Sequence, residues 1–212
     1  MTRIALIHAL AHSVAPINDA MARDWPEASR MNLLDDSLSA DLAAGGGLDE
    51  AMHLRFERLA QYAVDCGSDA ILFTCSAFGP CIERVAQRYA PLPVLKPNEA
   101  MVAEAGVMGV RVGLLATFAP TLQSMPAEFP AGVQVLGKLA DGALAALNAG
   151  DAISHDTLIA QASVELKQRG CGVIALAQFS MARAREAVAA RTGLPVLTTV
   201  DSAVAELKRR LG

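Results

Sequence analysis

The stretch Asp69-Ala70-Ile71-Leu72-Phe73-Thr74-Cys75-Ser76-Ala77-Phe78-Gly79-Pro80 decides the fold. Ala70 to Thr74 is a run of apolar, bulky and β-branched residues, long enough for a buried strand and too short for a helix. Gly79-Pro80 marks a turn, after which Ile82-Glu83-Arg84-Val85 resumes with helical spacing. Cys75 and Ser76 therefore stand where a buried strand gives out and a helix begins, the place where open α/β sheets present reactive groups. A second copy of this shape, Gly172-Val173-Ile174-Ala175-Leu176-Ala177-Gln178-Phe179-Ser180-Met181, follows later in the chain. Read without gaps, it sets Ala177 opposite Cys75.

The echo belongs to a longer repeat. Pro93-Val94-Leu95 returns as Pro195-Val196-Leu197, 102 residues later, and Val102-Ala103-Glu104 returns as Val204-Ala205-Glu206 in the same register. Arg3-Ile4-Ala5-Leu6-Ile7 resembles Arg111-Val112-Gly113-Leu114-Leu115 more loosely. Such internal similarity predicts two α/β halves, residues 1–105 and 111–212, with a linker from Gly106 to Val110. The last helix of the first half is free to pack on the other half. Strands are expected near 3–8, 30–34, 70–74, 93–95, 111–116, 133–136, 172–176 and 195–198. Met52, Phe56, Leu59, Ala60 and Ala63 form the buried face of one intervening helix. Leu158, Ala162, Val164 and Leu166 mark another, with Glu165 on its wet side. Alternating elements of this kind make two mostly parallel sheets flanked by helices, with a ligand cleft expected between the halves.

Composition narrows the functional classes. The 212 residues are 53% hydrophobic and 19% charged, with a net charge of −4. These are the proportions of a compact globular protein, and the absence of a basic stripe argues against a nucleic-acid partner. No apolar run approaches the roughly 20 residues of a membrane span. Cys66, Cys75, Cys81 and Cys171 lack the spacing of a disulfide framework and suit a reducing, cytoplasmic compartment. Assembly into a homo-oligomer is compatible with all of this.

Among candidate chemical groups Cys75 leads. The start of the following helix is expected to lower its thiol pKa toward neutrality and make it an acid/base. Cys66, Cys81 and Cys171 read as buried structural thiols. Thr117 and Thr121 close the first strand of the second half; their hydroxyls can cap the helix that Pro120 begins or bind a carboxylate there. Ser76 carries the same pair of roles. His8 ends the first strand, within reach of the expected cleft. Gly45-Gly46-Gly47 follows no strand and precedes no Lys-Ser or Lys-Thr pair, so it reads as a flexible loop over the cleft and not a phosphate loop. The scattered His8, His12, His53 and His155 give no metal site, and no Gly-x-Ser-x-Gly elbow is present.

Taken together, Arg3 to His8, Asn32 to Leu38, Asp69 to Gly79, Arg111 to Thr117 with Thr121, and Pro195-Val196-Leu197 with Ser202-Ala203-Val204 resemble the aspartate/glutamate/hydantoin racemase superfamily. That superfamily also holds arylmalonate decarboxylase and maleate cis-trans isomerase. The resemblance implies two pseudo-symmetric halves, a site between them, a small carboxylate substrate, and chemistry that uses no cofactor or metal. It also implies two catalytic thiols, one from each half. Cys75 matches the first, while Ala177 stands for the second, with Gln178 beside it as a substrate-binding residue. A one-thiol proton-transfer enzyme is the resulting expectation. A one-thiol decarboxylase of a substituted malonate, or a hydrolase or amidase with Cys75 as nucleophile and His8 as base, are the alternatives.

Overall fold

The computed structural model describes residues 2–45 and 47–212. Within the triple-glycine run, Gly45 is the last residue of a helix and Gly46 lies outside the described residues. In chain order the first elements are β1 (Arg3–His8), α1 (Val14–Asp24), β2 (Ser29–Leu34), α2 (Ser37–Gly45), α3 (Glu50–Asp65), β3 (Ala70–Phe73), α4 (Gly79–Tyr89) and β4 (Val94–Leu95). There follow α5 (Glu99–Val107), β5 (Val112–Ala116), α6 (Ala119–Ser124), β6 (Val135–Leu139), α7 (Ala143–Asn148), α8 (Ala152–Gln168), β7 (Val173–Leu176), α9 (Arg185–Thr192), β8 (Val196–Thr198) and α10 (Thr199–Leu211). The expected strands are present. The largest displacement is in β6, which starts at Val135 because Val133 is still in a turn, its N–H bonded to Pro130 O.

Two compact units result, one from residues 1–97 with 203–212, the other from 98–202. Each holds a four-stranded parallel sheet, ordered β2-β1-β3-β4 in the first and β6-β5-β7-β8 in the second. The order explains the sequence pattern. Central strands β1, β3, β5 and β7 are covered on both faces and read as continuous apolar runs. Edge strand β2 instead alternates between partly buried and exposed residues. In each sheet the strand order reverses between two central strands, β1 and β3 or β5 and β7. The carboxyl ends of such a pair are where open α/β sheets bind ligands.

Helix α5 runs through Gly106 and Val107 before the chain turns into β5. Its Met101, Val102 and Ala105 join Val112, Leu114, Val173 and Ala175 in the core of the second unit. The far end of α10 lies in the first unit, where Lys208 Nζ donates to Asp24 O at 3.0 Å.

Helix α3 buries Met52, Phe56, Ala60 and Ala63 as its sequence indicates. Helix α8 differs. Its buried line is His155, Ile159, Ala160, Ser163 and Leu166, whereas Leu158, Ala162 and Val164 are only partly buried. The expected face is rotated because two polar residues lie inside. Ser163 satisfies itself by donating to Ala160 O at 2.7 Å, and His155 Nδ1 pairs with Asp156 Oδ1 at 2.8 Å. A hydrophobicity count has no means of including a self-satisfied hydroxyl such as that of Ser163, nor His155, whose Nε2 is buried without a hydrogen-bond partner among the described residues.

The hydrogen-bond ladders correct the register of the repeat. Arg3 O and Ile7 O on β1 accept from Asp69 N and Thr74 N, and Arg111 O and Leu115 O on β5 accept from Gly172 N and Ala177 N. Thr74 and Ala177 are thus equivalent, one residue out from the gapless match. The helix ends agree. Gly67 and Gly170 occupy the same left-handed position (φ 72° and 80°), with Ser68 N bonded to Ala63 O and Cys171 N to Leu166 O. Because Pro93 and Pro195 also have equivalent roles, accepting from Ile71 N and Ile174 N, the second copy is one residue shorter after β7.

Gly113 shows how tightly the second unit is packed. A Cβ there would come within 3.1 Å of Ile174 Cδ1 and of Leu166 Cβ and Cδ1. Gly113→Ala is expected to destabilise the protein by about 1–3 kcal/mol through overpacking. Gly45→Ala, with nothing within 4 Å of the new carbon, is the control that urea unfolding should show unchanged or slightly more stable.

Candidate functional site

In the first unit, Cys75 directly follows Thr74 at the carboxyl end of β3 and opens a 3-10 turn, Ser76–Phe78. Its backbone is extended (φ −131°, ψ 118°) and its thiol is partly buried against the core. The turn is anchored by aromatic packing. Phe56 on α3 stacks on Phe73 with centroids 5.2 Å apart and packs tilted against Phe78 at 4.9 Å, so the residues flanking Cys75 are pinned by one ring. Pairs of this kind add about 0.5–1.5 kcal/mol each beyond the area they bury. Below them, buried Glu57 on α3 accepts from Arg84 Nε at 2.5 Å and Arg88 Nη1 at 2.6 Å on α4. Glu50 adds a two-pronged pair with Arg84. The helices on either side of the Cys75 turn are tied by both apolar and ionic contacts.

The other thiols stand elsewhere. Cys66 caps the end of α3, Cys81 lies inside α4, and Cys171 precedes β7. Burial pushes Cys81 up to about 11 and raises Cys171 as well.

Burial also raises the Cys75 thiol, opposed by one hydrogen bond from the Ala77 N–H. This corrects the expectation of a thiol lowered toward neutrality. The reason is geometric: a three-residue turn separates Cys75 from α4, so one amide reaches the sulfur while desolvation penalises the thiolate. At neutral pH the resting group is a thiol. Its carbamidomethylation, followed by peptide mapping against pH, is expected to reach half-maximal rate at higher pH than that of an unstructured cysteine peptide.

His8 is fully enclosed. Its Nε2 lies 3.0 Å from Asn32 Oδ1, and its Nδ1 lies 3.0 Å from Thr74 Oγ1 and 3.2 Å from Ser13 Oγ. The proton positions follow from the outermost partner. Val14 O accepts from Asn18 Nδ2, which also donates to Asn32 Oδ1, so that oxygen faces the ring and His8 Nε2 must be the donor. Nδ1 is then the acceptor. Ser13 Oγ spends its hydrogen on Leu10 O at 2.7 Å, leaving Thr74 Oγ1 to donate to Nδ1. Every polar atom of the cluster has a partner with the ring neutral. Burial lowers the His8 pKa, only partly opposed by the Asn32 bond. The unfolded chain therefore takes up a proton that the folded one refuses as pH falls through the ordinary value of 6.5, and stability drops on acidification. Unfolding in urea at pH 7 and pH 5 should show that drop. Thr74→Val, which removes the hydroxyl facing Nδ1, should cost about 1–3 kcal/mol at pH 7.

In the second unit the structural equivalent of Cys75 is Gln178. It too has an extended backbone (φ −133°, ψ 145°) and opens a 3-10 segment, Phe179–Ala184. Its Oε1 accepts from Thr117 N at 2.7 Å and Thr117 Oγ1 at 2.9 Å. The Thr117 hydroxyl thus does not cap α6. Phe118 is the N-cap, without a side-chain cap bond, and Pro120 sits in the first turn. Thr121 is buried on α6, its N–H bonded to Phe118 O. Ser76 is partly buried beside Cys75 and makes no cap bond. Of the residues singled out by sequence, Cys75 and Ser76 share one strand end, Thr117 and Gln178 are in direct contact, and His8 is sealed in the interior beside Thr74. Sequence reasoning missed the Ser13–Thr74–Asn32–Asn18 cluster, which only the pairing of β1 with β2 and β3 assembles.

Among the described residues there is no group of three or more His, Cys, Asp or Glu able to hold a metal, and no helix long and apolar enough to cross a membrane.

Comparison with known proteins agrees with this architecture. Residues 13–207 match the family model described as Asp/Glu/Hydantoin racemase. The chain belongs to that family, whose characterised neighbours are isomerases. Its fold is similar to that of a glutamate racemase of Bacillus anthracis, with a TM-score of 0.75, 13% identity, and coverage of 99% of this chain and 81% of that one. It is likewise similar to an allantoin racemase of Klebsiella pneumoniae, with a TM-score of 0.77, 18% identity and coverage of 99% and 87%. An aspartate racemase of Picrophilus torridus gives a TM-score of 0.77, 10% identity and coverage of 99% and 94%. No curated protein matches the sequence.

Proposed function

We propose that the protein catalyses cofactor-independent proton transfer at the carbon next to a carboxylate or carbonyl of a small amino-acid-like or dicarboxylic acid. Cys75 is the sole thiol acid/base in this reading. Ser76, Thr117, Thr121 and Gln178 hold the substrate, and His8 acts indirectly, by fixing Thr74 and so the strand end that carries Cys75. The observation that carries the proposal is Cys75 itself, a half-buried residue just past the end of β3 whose sulfur accepts a hydrogen bond from the Ala77 N–H. That contact favours the thiolate whenever the sulfur gives up its proton.

The position equivalent to Cys75 in the second unit holds a carboxamide, which neither gives nor takes a proton in this pH range. A thiolate at Cys75 can remove a proton from one face of the substrate carbon. The resulting thiol returns a proton to the same face, so the outcome is hydrogen exchange with retention. Inversion needs a second acid. One-thiol decarboxylation is the second reading, and the raised Cys75 pKa favours it. Loss of carbon dioxide from a substituted malonate leaves the bond's electron pair on carbon. The resting thiol protonates that carbon and becomes a thiolate, which solvent reprotonates. A hydrolase with His8 as base fits less well, because both ring nitrogens are already engaged.

Incubation in deuterated water with amino acids, hydantoins and substituted malonates tests the proposal. Deuterium is expected at the α-carbon, with loss of at least 100-fold in rate for Cys75→Ser. Carbon dioxide release selects the decarboxylase. Full activity in Cys75→Ala, or an accumulating acyl-cysteine, would overturn proton transfer at this residue.

A further inference from the structure

The hydrogen bonds around Gln178 carry an inference about which chemical group the second unit reads; it rests on the proposed role of Gln178 and Thr117 in holding the substrate. Both hydrogens that Thr117 could offer are already used. Its backbone N–H and its hydroxyl converge on Gln178 Oε1, at 2.7 and 2.9 Å. Because a backbone N–H requires an acceptor, the carboxamide can stand only one way round, with its NH2 group turned away from Thr117. Gln178 is partly exposed, and among the described residues its Nε2 has no hydrogen-bond partner. What remains for a ligand is therefore an NH2 donor on Gln178 and, next to it, a Thr117 hydroxyl oxygen that has only lone pairs left.

We infer that Gln178 and Thr117 together select a neutral amide end of the substrate over a carboxylate end. A primary amide or ureide presents a carbonyl oxygen beside an N–H. Its oxygen accepts from Gln178 Nε2 while its N–H donates to Thr117 Oγ1. A carboxylate presents two acceptors, one of which would face the lone pairs of Thr117 Oγ1. That leaves a charged oxygen without a donor, which is costly wherever water is excluded. Pro120, in the first turn of α6, has no N–H to offer in place of that donor. The pair also makes the selection reversible by a single change. Without the Gln178 carboxamide, Thr117 N–H and Oγ–H are both released and converge on one point, the arrangement a carboxylate oxygen accepts.

Succinamate and succinate, which differ at one end only, are the probes. The full-length protein, 15N-labelled, is titrated with each while the Gln178 side-chain NH2 pair and the Thr117 backbone amide are followed by NMR. Succinamate is expected to bind at least tenfold more tightly, to shift the Gln178 pair and to leave the Thr117 amide nearly unmoved. In Gln178→Ala the preference is expected to reverse toward succinate, with the Thr117 amide now shifting. Tighter binding of succinate to the unmodified protein, with a large Thr117 shift, would mean that carboxylate displaces the carboxamide and would overturn the inference. So would a Gln178 pair that neither ligand moves, or an unchanged preference in Gln178→Ala. Should that variant fail to fold, the two titrations of the unmodified protein decide alone. The readout needs no turnover and is expected to be the same in Cys75→Ser, so it can fail or succeed independently of the proton-transfer chemistry.

Discussion

The structure depends on where two parallel strand pairs stop. Thr74 N to Ile7 O is the last rung between β1 and β3, and Ala177 N to Leu115 O is the last between β5 and β7. Beyond each rung the next residue has left the ladder while its backbone is still extended, so its side chain stands at the lip of the sheet. In the first unit that residue is Cys75, in the second Gln178. The sheet order puts both lips at a reversal of strand order. A slip of one residue in either pair would turn every strand side chain to the opposite face. Because the central strands are apolar on both faces, their register is held by the fit of those side chains against the helices packed on them and not by an apolar/polar alternation.

Placement of the central strands was legible because they are buried on both faces and bounded by glycine and proline, a pattern that length alone separates from a helix. The family was legible for the same reason, since its motifs are the strand ends. The register of the repeat was less so. The matched prolines, Pro93 and Pro195, pulled the whole second copy into a gapless alignment that set Ala177 against Cys75. The glycines that end α3 and α8, Gly67 and Gly170, carried the right answer, because a left-handed residue after a helix is a fixed point of the fold. A conformational requirement was a better anchor than a run of similar side chains.

What the chain order concealed are properties that arise only when distant residues meet. The Cys75 pKa depends on how deeply the folded turn is buried, which a helix-start rule applied to sequence has no means of counting. His8 looked available because it ends a strand, yet Ser13, Asn32 and Thr74 close over it from three different segments. Thr117 looked like a donor to a ligand or a helix, and its hydrogens went instead to Gln178, 61 residues further along the chain. In each case the residue type was right and its remaining hydrogen-bond capacity was decided by a neighbour.

The division of the chain has a consequence for its birth. The first compact unit is made of residues 1–97 and 203–212, and the second is one unbroken segment between them. A ribosome delivers the chain from the amino terminus, and domains ordinarily finish in that order. Here the sequence is nested. The segment that begins later has all of its residues in hand first, while the unit bearing the thiol waits for residues 203–212. Synthesis thus completes the unit that bears Cys75 after the unit nested within it.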